Sequence, residues 1–181
     1  MGEMPMRVLA VLALCALAAC SPEARVGGVP VPSGFQEYRT GQYAFAHPAG
    51  WRRTEESATL TVLAPPTPDG VRDGHIHVQR YRDYPQDFAT VLDRFRGIAR
   101  LNHYRITLSE PAKLAGAVRA HRFEASYDLR LDEDRRVPYA LVGMYALTKE
   151  KTLVEFMVRT PRRSAAQASA ILSTLRLREN G

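Results

Sequence analysis

A layered α+β domain is the fold class this sequence predicts, and three observations predict it. Two stretches space their apolar residues every three or four positions, several others alternate apolar with polar residues, and one alternating stretch is apolar on both sides. A strand covered on both sides requires a layer above and a layer below, and two amphipathic helices are at hand to supply them.

In chain order, Tyr43 to Trp51 reads as the first strand, ending in a Pro48-Ala49-Gly50 turn, with an aromatic at each end to pack on a core. Leu60 to Ala64 and His75 to Tyr81 read as short strands. The loop between them, Pro65-Pro66-Thr67-Pro68-Asp69-Gly70, is too rich in proline and glycine to join a sheet. The period then changes. Phe88, Val91, Leu92, Phe95, Ile98 and Ala99 make one face of a helix, and Asp87, Asp93, Arg94, Arg96 and Arg100 lie on the other side. Pro85 suits its first turn, Asp87 complements the positive end of the helix dipole, and Asn102 ends it.

Beyond Pro111 a meander of longer strands is expected. His121, Phe123, Ala125, Tyr127 and Leu129 share one face, and Arg122, Glu124, Ser126 and Asp128 give that strand a wet side. In Tyr139 to Leu147 both faces are apolar, which predicts a central strand. Val154, Phe156 and Val158 alternate with Glu155 and Arg159. Pro161 then opens a second helix, with Ala168, Ile171, Leu172 and Leu175 as its buried stripe.

The segment before these elements predicts an address. Arg7 supplies a positive start, Val8 to Ala19 form an apolar run, and the small residues Ala18 and Ala19 precede Cys20, the pattern of a secretory signal. The run is too short to span, because a transmembrane helix needs about 20 apolar residues, and Ser21-Pro22 stops it. Leu17-Ala18-Ala19-Cys20 resembles a bacterial lipobox, which implies that Cys20 is thioether-linked to diacylglycerol, becomes the new N-terminus and is acylated again. Two or three chains anchor firmly where one holds only marginally. An ordinary secreted protein with an incidental cysteine is the alternative. Cys15, the only other cysteine, leaves with the leader, so the mature chain is expected to have no disulfide, thiol nucleophile or cysteine zinc site. The organisation read from this is a leader over 1–19, a flexible Gly/Pro-rich tether over 20–36 and one domain over 37–179. Ser21 after the cysteine would direct the chain to the outer membrane of a Gram-negative host and has no such meaning in a Gram-positive one. The expected location is therefore the extracytoplasmic face of the cell membrane or outer membrane.

Formal charge is +6, with 22 Arg against 3 Lys, a ratio that reflects a GC-rich genome rather than a function. Arg52-Arg53, Arg135-Arg136 and Arg162-Arg163 are scattered and lack interleaved aromatics, so nucleic acid is not an expected partner. A basic exterior favours anionic headgroups or wall polymers by weak, salt-sensitive attraction.

The order of parts also resembles a known family. The Phe45, Pro48, Trp51 spacing, a mid-chain helix, a long strand beginning with Gly116 to Phe123, two further strands and a short terminal helix ending in Leu175-Arg176-Leu177 are similar to the Mog1/PsbP-like domain superfamily, over Tyr38 to Leu177. The resemblance implies an α/β/α sandwich around an antiparallel sheet. It also implies a protein that binds other proteins or stabilises assemblies, with no shared catalytic set; many members are exported bacterial lipoproteins.

Asp73-Gly74-His75-Ile76-His77 is the sharpest polar cluster. His75 and His77, two apart on a strand, point the same way and make a weak metal-ligand pair, with Asp73 as a third donor only if the strand runs through Gly74. The simpler reading turns Ile76 and Val78 inward and leaves the histidines on a polar face. His47 and His121 read as turn and core residues. No Gly-x-Ser-x-Gly, Ser-x-x-Lys, His-Glu-x-x-His or phosphate-cradling loop occurs. Asp132-Glu133-Asp134 lacks the glycine and distal glutamate of a calcium loop and reads as a hairpin turn. Tyr81, Tyr84, Tyr104, Tyr139 and Tyr145 are amphipathic enough to line a groove between sheet and helix.

The expected function is that of a lipid-anchored envelope module that docks an envelope protein, with no catalytic residues and no cofactor. A carrier or sensor of a lipidic or small ligand is the first alternative and requires an apolar cavity. A metal-dependent enzyme at His75 and His77 is the second.

Overall fold

The computed structural model describes residues 24–68, 73–85 and 87–178. Strands β1 (Ala24–Arg25), β2 (Phe35–Arg39), β3 (Tyr43–Pro48), β4 (Arg52–Glu56), β5 (Leu60–Ala64) and β6 (His75–Tyr81) precede helix α1 (Phe88–Leu101). Strands β7 (Arg105–Lys113), β8 (Arg119–Arg130), β9 (Arg136–Leu147) and β10 (Leu153–Pro161) lead into α2 (Ala165–Ser173) and β11 (Arg176–Leu177). Among the described residues eight strands form one sheet in the order β1-β7-β8-β9-β10-β6-β5-β4, and β11-β3-β2 form a second. Pairing is antiparallel except where β1 runs parallel to β7.

The period-2 pattern of β9 does what it predicts. Leu141 and Tyr145 face one core with Phe88, Val91 and Phe95 of α1. Val142, Met144 and Ala146 face a second core with Ala168, Ile171 and Leu172 of α2. Each core seals on an aromatic contact: Phe95 lies 4.3 Å from Phe123 between ring centroids, and Phe45 meets Phe156 edge-on at 5.1 Å. Gly143 is dictated by the first. Phe123 pairs directly with it across β8 and β9 and folds over it, so a Cβ at 143 would sit 2.3 Å from the Phe123 ring.

Three expectations are corrected in detail. The second face of the large sheet is not covered by helix alone, because α2 shares it with β2, β3 and β11. Thr174 joins the two by accepting the Ala46 N–H at 2.7 Å while donating to the Ile171 carbonyl at 2.7 Å. Pro161 does not open α2; its backbone is extended (ψ 141°), it pairs with Tyr139 at the end of β10, and a 3-10 turn over Arg162–Ser164 intervenes. The segment read as tether touches the domain at both ends: Ala24 and Arg25 pair with Ala112 and Lys113, Val26 is buried, and β2 starts at Phe35. Gly27 makes the first attachment possible. Its φ is +92°, and a Cβ there would meet the Leu175 carbonyl oxygen at 2.1 Å.

Helix α1 stops at Asn102 as expected but begins at Phe88 with Asp87 as its N-cap, so Pro85 lies before the helix and not in its first turn. The Asp87 side chain makes no capping hydrogen bond and instead faces Arg119 at 3.4 Å. At the other end Tyr104 N–H reaches the Ala99 carbonyl and His103 N–H the Arg100 carbonyl, with His103 at φ +56°. This is a Schellman stop with histidine in the position that glycine usually takes.

Candidate functional site

A concavity of about 850 Å³ lies at the β1–β7 edge of the large sheet. Three stretches of chain far apart in sequence build it: Arg25 to Gly28, Pro111 to Ala120, and Leu175 with Arg176; Phe88 at the start of α1 completes the wall. Its apolar surface comes from Val26, Phe88, Ala112, Leu114, Val118 and Leu175. Val118 is 53 % exposed although large and apolar. Four cationic residues border this surface. Arg25 and Lys113 stand directly opposite each other in the β1–β7 register. Arg119 faces Asp87, and Arg176 pairs with Glu37 at 2.5 Å while its Nε is buried without a hydrogen-bond partner among the described residues.

None of the tyrosines expected to line a groove borders this one. Tyr145 is buried in the core under α1, Tyr139 is buried beside Tyr127, and Tyr81, Tyr84 and Tyr104 pack at the margin of that core. Burial raises the Tyr145 hydroxyl well above its ordinary range and pushes Tyr127 up to about 12, so both stay protonated.

His75 and His77 share the α1-side face of β6, as their spacing predicts, with Ile76 and Val78 in the opposite core. Their register partners on β10 are Arg159 and Met157. Burial, and then the Arg159 guanidinium, hold the His77 pKa below its ordinary value. Asp73 does not join them. The strand begins at His75, Gly74 turns the chain at φ +133°, and the Asp73 carboxylate accepts the Thr67 hydroxyl. Among the described residues no three His, Cys, Asp or Glu side chains converge. Near the same strand face, Glu155 is pushed up by burial, with Arg94 and Arg159 opposing the shift.

One polar pair escaped the sequence reading. Ser109 on β7 and His121 on β8 lie 2.8 Å apart (Oγ to Nε2). Burial holds the imidazole below its ordinary pKa, and Arg96 adds to this. The two residues are diagonal neighbours across antiparallel strands, a relation that appears only once the register is known. The Asp132 side chain closes the β8–β9 hairpin by accepting the N–H groups of Asp134 and Arg135, at 3.2 and 2.7 Å. Cys20, with Leu17, Ala18 and Ala19, lies outside the described residues. Among those described, no helix is long and apolar enough to cross a membrane.

No protein-family model matches the chain, and no curated protein does. Solved structures do. Cyanobacterial PsbP (CyanoP) from Synechocystis sp. PCC 6803 superposes with a TM-score of 0.52 at 15 % identity, over 87 % of this chain and 99 % of that one. LpqN, involved in cell envelope biogenesis of Mycobacterium tuberculosis, gives a TM-score of 0.53 at 15 % identity, over 80 % of this chain and 92 % of its own. At such identities the likeness concerns the path of the chain. The mixed sheet with its two helices has the PsbP-like fold.

Proposed function

We propose that this chain is a lipid-anchored, extracytoplasmic binding or scaffolding protein of the bacterial cell envelope, held by Cys20 and without catalytic activity. The observation that supports this best is the placement of the groove: its wall includes Arg25 to Gly28, which begin only five residues after Cys20. Exposed apolar side chains elsewhere offer contacts for an envelope protein. Ile98 and Leu101 at the end of α1 and Ile106 at the start of β7 are 39 %, 81 % and 37 % exposed. The likeness in fold to LpqN, itself involved in cell envelope biogenesis, is compatible with this address. A carrier or sensor of a lipidic ligand is a second reading, favoured by the volume and apolar walls of the groove.

Crosslinking in the protein's own membranes, followed by mass spectrometry of attached protein and lipid, tests the proposal. A reproducible envelope protein partner, weakened in Cys20→Ala, is the expected result. Co-purified lipid with no protein would select the carrier reading, and turnover of a substrate by the purified chain would overturn the proposal.

A further inference from the structure

We infer that the outer edge of β7, Arg105 to Glu110, pairs antiparallel with the same segment of a second copy of this chain, joining two large sheets into one across a two-fold axis. The inference goes beyond the anchored reading above and does not depend on it.

Four observations lead to it. The first is an open edge. Among the described residues β1 pairs with β7 only at Ala112 and Lys113, and Pro111, which has no N–H to give, separates that pairing from Arg105 to Glu110. At the opposite edge of the sheet β4 deters a further strand with Arg52, Arg53, Glu55 and Glu56, whereas β7 carries Ile106, Thr107, Leu108 and Ser109 between its two charges.

The second is the way these six residues face. Directly opposed residues of antiparallel strands share a face. Ile106 and Ser109 lie opposite Ala125 and Phe123, which face the core under α1, while Arg105, Leu108 and Glu110 lie opposite Ser126, Glu124 and Arg122 on the other face. Thr107 borders a concavity with Arg162 and Ala165, at the start of α2, and so shares that second face. The register shift between Ile106 and Leu108 thus makes the facing symmetric about the Thr107–Leu108 bond. In a regular strand neighbours face opposite ways, and a two-fold axis perpendicular to the sheet can match faces only when centred on a residue; here it can lie between two.

The third is charge. With the axis at that point Arg105 meets Glu110 of the second copy, Ile106 meets Ser109 and Thr107 meets Leu108, each pairing occurring twice. Among the described residues Arg105 is exposed and makes no ion pair, and Glu110 meets Arg122 at 4.0 Å, a guanidinium that lies closer to Glu124. Opposite charges directly across antiparallel strands stabilise the pairing. The fourth is exposed apolar surface at the seam. Ile106 is 37 % exposed on the α1 side, and Leu101, 81 % exposed, stands four residues before the strand. His103, at φ +56°, turns the chain just before Arg105, so the strand of a second copy stops short of β1.

The test begins with the full chain in detergent, followed by analytical ultracentrifugation across a range of concentrations, where a monomer–dimer equilibrium is expected. Arg105→Glu and Glu110→Arg each place like charges at both ends of the seam and should weaken the dimer at least about tenfold. Mixing the two variant chains restores opposite charges at both ends, and a mixed dimer should form where neither variant dimerises alone. Arg52→Glu, the same charge change on the β4 edge, should leave the dimer intact, and circular dichroism checks that every variant is folded. Register is read by oxidation in the protein's own membranes: Ile106→Cys and Ser109→Cys chains should crosslink to each other but not to themselves, because like positions lie about 10 Å apart across the axis, beyond the about 7 Å that a disulfide spans between Cα atoms. A chain monomeric throughout, a dimer unmoved by the single charge variants, a mixture that fails to dimerise, or self-crosslinking in place of the mixed product would each overturn the inference.

Discussion

At the centre of the large sheet β9 buries side chains on both faces, whereas at the β1–β7 edge three stretches of chain leave a groove of about 850 Å³ on which Val118 stands 53 % exposed. The packing around Gly143 is closed by shape: Phe123 fills the space that Gly143 leaves, and Phe95 lies on Phe123. The edge groove is framed by three separate stretches of backbone and bordered by cationic residues, of which Arg119 faces Asp87 and Arg176 pairs with Glu37. A folding unit has no use for that second arrangement, and a binding protein does. The difference sets a packed centre against an edge with an open concavity.

Breaking the centre should have the largest effect. Phe123→Ala removes a ring with no exposure that contacts both Phe95 and Tyr145, and should cost about 3–5 kcal/mol in chemical denaturation. Gly143→Ala overpacks the same place and should cost about 1–3 kcal/mol, with part of the loss recovered when Phe123 is trimmed to Leu in the same chain.

Acid should also act on the interior before the edge. His47, His77 and His121 each have a folded pKa held below the ordinary 6.5, with burial as the first cause. The unfolded chain therefore binds the extra protons first. Stability is complete above pH 6.5 and falls as the pH drops through that value toward the depressed folded pKa values. Denaturation at a series of pH values should show the fall, and His121→Gln should flatten part of it. A stability that rises on acidification over this range would contradict the burial of these imidazoles.

Smaller still is the effect expected at the helix stop. His103→Gly relieves a left-handed residue and should stabilise by about 0.5–1 kcal/mol, read as a rise in Tm. At the edge itself, Arg25→Glu should leave stability within about 0.5 kcal/mol of the parent while altering what the groove attracts.

The same contrast explains what was legible in the sequence. Tyr139 to Leu147 and Phe88 to Ala99 announce themselves because burial imposes a period on neighbouring residues. The strands β5 and β6 were visible for the same reason, within the limits of their short length. β4, with the sequence Arg-Arg-Thr-Glu-Glu, has no apolar residue, because it is an exposed edge strand whose charges deter further pairing. β7 contains Pro111, which argues against a strand, yet only its last two residues pair with β1, and on such a nearly free edge proline is tolerated. The groove left no local pattern at all. Its walls come from residues up to about 150 positions apart, and only the register and the turn at Gly27 bring them together. His75 and His77 show the converse: their spacing placed them correctly on one face, but the Arg159 opposite them belongs to another strand.

The most direct measurement is the intact mass of the N-terminal peptide of the protein purified from its own membranes. The account predicts a chain that begins at Cys20 and bears a diacylglyceryl thioether with a further acyl group on the new amino terminus. An unmodified Cys20, or a mature chain that starts elsewhere, would contradict it.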